Sequence, residues 1–124
     1  MIDFDFNWRE SEIDYISIGA NKIYLGANAV KKLNYPKLIK IGFDKTNMEL
    51  CFEAVEDAGT VAVYKLTNKQ TITSREICKY INKLVGNKYE ESIKYRAEMK
   101  GNALIAKLNM PLTAKYKVEI DGQI

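Results

Sequence analysis

Histidine is absent from the 124 residues, and cysteine occurs only twice. Without histidine there is no Ser-His-Asp or Cys-His catalytic unit, no imidazole general base and no zinc helix of the His-Glu-x-x-His type. Cys51 and Cys78 are far apart and form no Cys-x-x-Cys pair, so a structural zinc site within one chain is also excluded. We expect two buried free thiols in a reducing compartment, rather than a disulfide or a redox pair.

Arginine is also scarce, with three residues against sixteen lysines. Arginine is the side chain that most often reads bases and clamps phosphates, so its scarcity weakens any inference of nucleic-acid binding from charge alone. Lysine, asparagine, isoleucine and tyrosine are abundant, and all have A/T-rich codons. The composition therefore suggests an A/T-rich genome, as in a low-GC bacterium or its phage, and codon usage is an alternative to function as the explanation of part of the lysine excess.

Several motifs that carry chemistry are missing. The glycines form neither G-x-x-x-x-G-K-S/T nor G-x-G-x-x-G, so no nucleotide cradle is indicated. Residues 3–7 open like a calcium loop, but Trp8 stands where that loop needs glycine, and strand alternation explains these residues better. Carboxylates cluster at residues 53–57 and 90–91, in predicted loops or strand ends where solvated charge explains them. We expect no catalytic residue, no cofactor and no metal site.

Long apolar runs are lacking as well. No stretch approaches the roughly eighteen apolar residues of a membrane span, and residues 1–10 have no apolar core of a secretory signal. A chain of this length can bury a core without disulfides or metals. We therefore expect a cytoplasmic protein of one domain, residues 1–124, that does not associate with a membrane.

The charge is unevenly distributed along the chain. The net charge is +3, to which residues 1–14 contribute −4 and the remainder +7. A basic body attracts phosphate backbones. A solvated lysine surface explains the same charge, and both interpretations stay open.

The apolar periodicity predicts two halves with the same order of elements. Each half contains a strand, a turn, a short strand, a helix and a hairpin, over residues 15–55 and 61–110. A leader strand in residues 1–14 precedes them, and a C-terminal strand in residues 111–124 follows. We predict an α+β fold in which two βαββ units form one mostly antiparallel sheet or a swapped-hairpin barrel. The alternative is two unrelated βαββ runs in one α+β sheet.

Two helices are predicted inside these halves. The first covers residues 27–33 and is stopped by Asn34-Tyr35-Pro36. The second begins at a capping box, with Thr73 as N-cap and Glu76 reaching back to it. Its apolar stripe has the spacing i, i+3, i+4, i+7, i+8 and consists of Ile77, Tyr80, Ile81, Leu84 and Val85.

Two sets of basic residues are candidate nucleic-acid contacts. The first set spans the first helix, its stop and the next strand, with Tyr24 and Tyr35 interleaved: Lys31, Lys32, Lys37, Lys40 and Lys45. The second set lies on one face of a predicted strand and on its partner strand: Lys94, Arg96, Lys100 and Lys107. The alternative for both is the polar face of a half-buried antiparallel sheet.

The run ISIGANKIYLGANAVKKL at residues 16–33, followed by a hairpin, resembles the swapped-hairpin domains of AbrB/SpoVT-type transition-state regulators. Two such units in one chain look like the tandem arrangement of MraZ-like proteins. The resemblance implies an intramolecular barrel with interlocked hairpins and DNA binding through basic residues. That family usually has glycine before the Ile-x-Leu strand, proline after it and arginine in the helix, where this sequence has Asn21, Gly26 and Val30. No functional residue is carried over from the resemblance.

Three functional hypotheses follow. The leading one is a non-enzymatic DNA-binding or regulatory protein, encoded by a phage or another mobile element. The second is an accessory factor that binds a host or phage protein without nucleic acid, and the third is an enzyme that uses carboxylates and tyrosine. One contiguous positive face would favour the first, an exposed apolar patch the second, and a deep pocket holding a carboxyl with a raised pKa the third.

The leader adds a separate expectation. Phe4, Phe6 and Trp8 fall on one face of the predicted leader strand, among five acidic residues. Because burying aromatic side chains is favourable, we expect the leader to dock on the basic body. Its acids then either compete with phosphate for the body or simply face water.

Overall fold

The computed structural model describes residues 14–56 and 63–112. The predicted strands in the leader and at residues 116–120 lie outside these ranges. The eight strands are β1 (Tyr15–Ile18), β2 (Lys22–Leu25), β3 (Leu38–Asp44), β4 (Glu49–Val55), β5 (Val63–Lys65), β6 (Thr71–Thr73), β7 (Ile93–Lys100) and β8 (Ala103–Pro111). The two helices are α1 (Ala27–Lys32), between β2 and β3, and α2 (Arg75–Leu84), between β6 and β7.

The strands form one sheet in the order β5-β3-β4-β8-β7-β1-β2-β6, and every described pairing is antiparallel. The two edge strands, β5 and β6, lie against each other, so the sheet curls into a nearly closed barrel. The prediction of an α+β protein built on a mostly antiparallel sheet is confirmed at this level.

Alternation along the strands sets the inner and outer faces of the barrel. In β3, Ile39 is buried and Ile41 and Phe43 pack against the core, while Lys40 and Asp44 are exposed. The same period holds in the other long strands, β4, β7 and β8, because successive side chains of a strand point to opposite faces. Charged residues of the strands therefore collect on the outside of the barrel.

Strands from the two halves of the chain are paired with one another in this sheet. Four of the seven described pairings join an element of residues 15–55 to one of residues 63–111: β1 with β7, β2 with β6, β3 with β5, and β4 with β8. The buried side chains form one cluster to which both halves contribute, with Ile16 and Phe52 from the first and Ile72, Tyr95 and Leu104 from the second. Neither half has a separate core.

Helix α1 ends where the sequence predicted. Asn34 and Tyr35 both adopt left-handed conformations, with φ of 64° and 50°, directly after the helix. Its N-cap is Gly26, which provides no capping side chain. A Cβ at this position would lie 2.8 Å from the ring of Tyr15, so the close approach of the ring requires glycine.

The prediction of Thr73 as the N-cap of helix α2 was wrong, because the helix begins one residue later than that capping box requires. Thr73 is the last residue of β6, where it is paired with Lys22, and so cannot serve as the cap. Ser74 is the N-cap instead, and its Oγ accepts a hydrogen bond from the backbone N–H of Ile77 at 3.3 Å. The β-bridge thus decides between two adjacent residues that can both cap a helix.

The inner face of α2 differs slightly from the predicted stripe. Ile81 is buried and Ile77, Leu84 and Val85 pack partly against the core, but Tyr80 is 48% exposed. Its ring meets that of Phe43 edge-on at 5.7 Å. Within residues 14–56 and 63–112, no helix is long and apolar enough to cross a membrane.

Candidate nucleic-acid interface

The first predicted lysine set is spread over several elements. Lys31 and Lys32 lie in the last turn of α1, Lys37 in the connection to β3, and Lys40 on the outer face of β3. Lys45 lies in the turn between β3 and β4. All five are exposed, but two of them have carboxylate partners that the sequence did not suggest.

Lys32 is paired with Asp14. The Nζ of Lys32 lies 2.6 Å from Oδ2 of Asp14, whose side chain is only 7% exposed. The second oxygen, Oδ1, is buried and has no hydrogen-bond partner in the described part of the chain. Removing the ammonium would leave a buried carboxylate without its cation. The first role of Lys32 is therefore to stabilise the fold, and its charge is less available to a ligand.

Lys40 is paired with Glu53, which stands directly opposite it on β4. The Nζ–Oε2 distance is 3.0 Å, and both side chains are partly exposed. Such a pair contributes little stability, because both ions remain hydrated. It nevertheless offsets the positive charge that the sequence assigned to this strand.

The second predicted set lies on the outer face of the sheet. Lys94, Arg96 and Lys100 alternate along β7 with residues that face the core, among them Tyr95 and Ala97. The prediction that these basic residues share one strand face is confirmed, whereas their role in binding stays a prediction.

Lys107 of this set, on β8, forms an ion pair with the neighbouring strand β7. Its Nζ lies 3.0 Å from Oε1 of Glu98 on β7. The hydrogen bond and charge of Lys107, aided by Lys100 and Arg96, lower the pKa of Glu98. Glu98 therefore remains ionised and reduces the positive charge in the middle of the β7 face.

A pair of tyrosines adjoins the start of β7. The Nζ of Lys94 lies 4.9 Å from the ring centroid of Tyr15, a cation–π distance. The rings of Tyr15 and Tyr24 are 6.2 Å apart, and the Tyr24 hydroxyl donates to Oε1 of Gln70 at 3.1 Å. Both rings are half-buried. They therefore pack on the β1–β2 surface and do not form a fully exposed platform on which a base could stack.

The structure reveals a basic row that the sequence reasoning missed. Arg75, Lys79 and Lys83, which we call the α2 stripe, are exposed and follow one another at intervals of four residues. On a helix this spacing places cations about 6 Å apart along one side. Within residues 14–56 and 63–112, none of the three forms an ion pair. The i, i+4, i+8 spacing opposite the apolar stripe was the signal available in the sequence.

The α2 stripe continues into a cleft at the C-terminal end of the helix. This α2 cleft has a volume of about 410 Å³ and is lined by Lys79, Asn82, Lys83, Gly86, Asn87, Lys88 and Glu90. Lys88 is exposed in the loop after α2 and, like the stripe, has no ion pair within the described ranges.

Two further clefts have different linings. One of about 640 Å³ between the end of α1 and the start of β3 has an apolar floor that includes Leu33 and Val55, with Lys37 and Lys65 among its polar residues. The other, of about 300 Å³, lies between α2 and the barrel. It is mainly apolar and is lined by Ile41, Gly42, Phe43, Leu50, Tyr64, Glu76, Ile77, Tyr80 and Ile81.

The two thiols are unsuited to nucleophilic chemistry. Burial, together with the charge of Glu90, raises the pKa of Cys78 to about 11. Burial and the charge of Glu53 also raise the pKa of Cys51, so both are thiols rather than thiolates at neutral pH. Both cysteines are free, as predicted, but Cys51 is half-buried on the outer face of β4 rather than fully buried. In the described ranges no three His, Cys, Asp or Glu side chains are grouped to hold a metal ion.

Comparisons of the chain with protein-family models, with curated proteins and with solved structures find no significant match.

Proposed function

We propose that this is a non-enzymatic DNA-binding protein that contacts the phosphate backbone chiefly through the α2 stripe. The observation that carries the proposal is the row of Arg75, Lys79 and Lys83 along the exposed side of a helix, with no carboxylate partner in the described ranges. Cations arranged in this way release counterions from DNA when they bind, which favours association regardless of base sequence.

The buried residues of α2 support the proposal because they hold the helix in place. Cys78, Ile81 and Asn82 are buried, and the Asn82 amide donates to the carbonyl oxygen of Gly19 at 2.9 Å. At the start of the helix, the backbone N–H of Ser74 donates to the carbonyl of Asn21 at 3.0 Å. Both bonds attach α2 to the β1–β2 turn, so the cations are presented on a preorganised element.

The predicted basic sets take secondary positions in this proposal. Arg96 and Lys100 on β7, and Lys31 and Lys37 near α1, have no ion pair within the described ranges and would extend the contact area. Lys32, Lys40 and Lys107 are offset by Asp14, Glu53 and Glu98. We expect them to contribute less to binding than their number suggests.

We also infer that the two halves are copies of one swapped-hairpin unit. If β1 is exchanged with β5, β2 with β6, β3 with β7 and β4 with β8, every pair of neighbouring strands is replaced by a pair of neighbours. The contact between β5 and β6 then corresponds to the pair of β1 and β2. This symmetry is what an intramolecular swapped-hairpin barrel requires, and it agrees with the expectation of DNA binding from the resemblance.

The salt dependence of binding tests the proposal. A short labelled DNA duplex is titrated with the wild type and with R75Q/K79Q/K83Q over a series of salt concentrations. Losing three phosphate contacts should reduce the magnitude of the log–log slope by about two to three units. The control variant K65Q/K69Q removes two exposed lysines, one from the edge strand β5 and one from the β5–β6 turn, both outside the candidate sets, and should leave the slope nearly unchanged.

Two results would contradict the proposal at different levels. An unchanged slope in R75Q/K79Q/K83Q would show that DNA is bound elsewhere on the surface. A wild-type protein that binds no duplex at low salt would not be a DNA-binding protein at all.

A protein partner is the second candidate function, favoured by the apolar cleft between α2 and the barrel. Tyr80 is half-exposed at its rim, and the lining includes only one charged side chain, Glu76. Partly exposed aromatic residues are frequent anchors of protein interfaces. A partner captured from the native cell after nuclease treatment by the wild type, but not by Tyr80→Ser, would favour this function over DNA binding.

A further inference from the structure

The α2 cleft gathers positive charge from two elements. Lys79 and Lys83 belong to the last two turns of α2, whereas Lys88 belongs to the loop that follows. Glu90 is the only acidic side chain in the lining. The ionised side chains around the cleft therefore carry a net charge of +2 at neutral pH.

The loop that carries Lys88 is tied to the helix. Gly86 turns the chain with φ of 74°, and the backbone N–H of Asn87 donates to the carbonyl of Asn82 at 2.8 Å. The Asn87 amide donates to Oδ1 of Asn82 at 3.0 Å and to the carbonyl of Glu91 at 2.8 Å. Asn82 is itself only 2% exposed, so these hydrogen bonds attach the loop to a buried residue of the helix. Lys88 is thereby kept beside the lysines of the helix.

The negative end of the helix dipole is partly compensated at this site. The carbonyl oxygens of Ile81, Asn82 and Lys83 accept hydrogen bonds from Val85, Asn87 and Gly86 respectively. Lys83 in the last turn also complements the dipole. An anion in the cleft therefore meets three ammonium groups rather than a row of bare carbonyls.

We propose that the α2 cleft binds a phosphate monoester dianion. A monoester carries close to two negative charges at neutral pH, against one for the diester of an internal nucleotide, so it matches the charge of the lining. The volume of about 410 Å³ leaves room for the attached sugar. Two sources offer this chemistry: the 5′-phosphorylated end of a DNA strand, and a free phosphate compound.

The first source deepens the proposed function and rests on it, whereas the second does not. At an end of DNA, the α2 stripe would follow the backbone while the cleft holds the terminal phosphate. The geometry favours this source, because the stripe leads directly into the cleft through the two lysines that they share, Lys79 and Lys83.

The test compares two DNA duplexes of one sequence, with either a 5′-phosphate or a 5′-hydroxyl end. The full chain should bind the phosphorylated duplex about tenfold more tightly at low salt, since a further charge is neutralised. Lys88→Gln should remove most of that preference while retaining affinity for the hydroxyl-ended duplex. Lys69→Gln, an exposed lysine in the β5–β6 turn, is the matched control and should retain the preference.

Inorganic phosphate distinguishes the sources. If it competes for the cleft at equal ionic strength and shifts the amide resonances of residues 86–90, the site accepts a free phosphate compound as well. If the two duplexes bind equally and phosphate shifts none of these resonances, the proposal is overturned. If neither duplex binds, DNA binding fails, and the phosphate titration by itself decides whether the cleft is an anion site.

Discussion

The two helices occupy corresponding places in the two halves but are built differently. Helix α1 has six residues, begins after a glycine without a capping side chain, and ends at Lys32, whose charge is matched by Asp14. Helix α2 has ten residues, begins at Ser74 with a side-chain cap, and carries three exposed cations with no ion pair in the described ranges. The same order of elements thus gives one short helix with a cation neutralised by a buried carboxylate and one longer helix that presents its cations to solvent.

This difference shows that the number of lysines in a segment is a poor measure of its binding capacity. The first half has lysines on its helix and strand, yet Asp14 and Glu53 offset two of them. The second half has fewer predicted candidates but a longer helix with a regular basic side. The capacity of a cation to bind an anion depends on whether it lacks a carboxylate partner and whether a rigid element holds it in place.

The largest expected effect lies in the anchor of α2. Ile81 is 1% exposed, and Ile81→Ala should lower the free energy of unfolding by about 2–5 kcal/mol through lost transfer energy and a cavity. Urea denaturation measures it, with Lys79→Ala on the exposed side as the control. Equal midpoints for Ile81→Ala and the wild type would refute the assignment of α2 as a core helix.

The N-cap of α1 gives the next effect. In Gly26→Ala the new Cβ would meet the Tyr15 ring at 2.8 Å, so the ring or the helix must move. We expect a loss of about 1–3 kcal/mol, as for other overpacked sites. Gly42→Ala is the matched control, because its Cβ would make only an ordinary contact with Cys51 at 3.9 Å. Equal stabilities of the two variants would mean that the Tyr15 packing is loose.

The N-cap of α2 should also be sensitive to substitution, but here because its side chain is needed rather than excluded. Ser74→Ala removes the acceptor for the Ile77 N–H and should cost about 1 kcal/mol. Thr73→Ala, at the residue that the sequence favoured as the cap, should cost less. Thermal denaturation of both variants decides between the two residues, and a larger loss in Thr73→Ala would restore the original capping box.

The smallest effect concerns the charges of β7 and β8. Because the pKa of Glu98 is lowered in the folded state, its stabilising contribution is present above the pKa of the unfolded chain and is lost as the pH falls through the folded value. Lys107→Gln should move the pKa of Glu98 back toward its ordinary value in an NMR titration. Lys40→Gln, which removes the partner of Glu53 instead, should leave it unchanged.

The element order was predictable because it depends on local patterns. Alternation identified the β3–β4 hairpin, Asn34 and Pro36 marked the end of α1, and the apolar spacing from Ile77 identified α2. The position of the α2 cap was wrong by one residue, because the β2–β6 pairing withdraws Thr73. Local propensity cannot show which of two adjacent capping residues a distant strand will occupy.

The candidate site was less predictable for a similar reason. The partners of Lys32 and Lys40 are set by the tertiary fold and by strand register, which the sequence pattern did not determine. The α2 stripe, in contrast, follows from spacing within a single helix and could have been found by examining the polar side of the predicted helix. The α2 cleft required the structure, since the loop hydrogen bonds of Asn87 bring Lys88 beside the helix.

The pairing of strands between the two halves also has a consequence for how the chain folds. The β1–β7 pair joins residues such as Ile16 and Tyr95, which are close in space but distant in sequence. A chain dominated by such contacts has a high contact order, because residues far apart in sequence must meet. The entropy of closing the long loops is lost before the contacts stabilise the fold. We therefore expect slow, all-or-none folding in which isolated halves remain unstructured and assemble only when both are mixed, as complementing fragments.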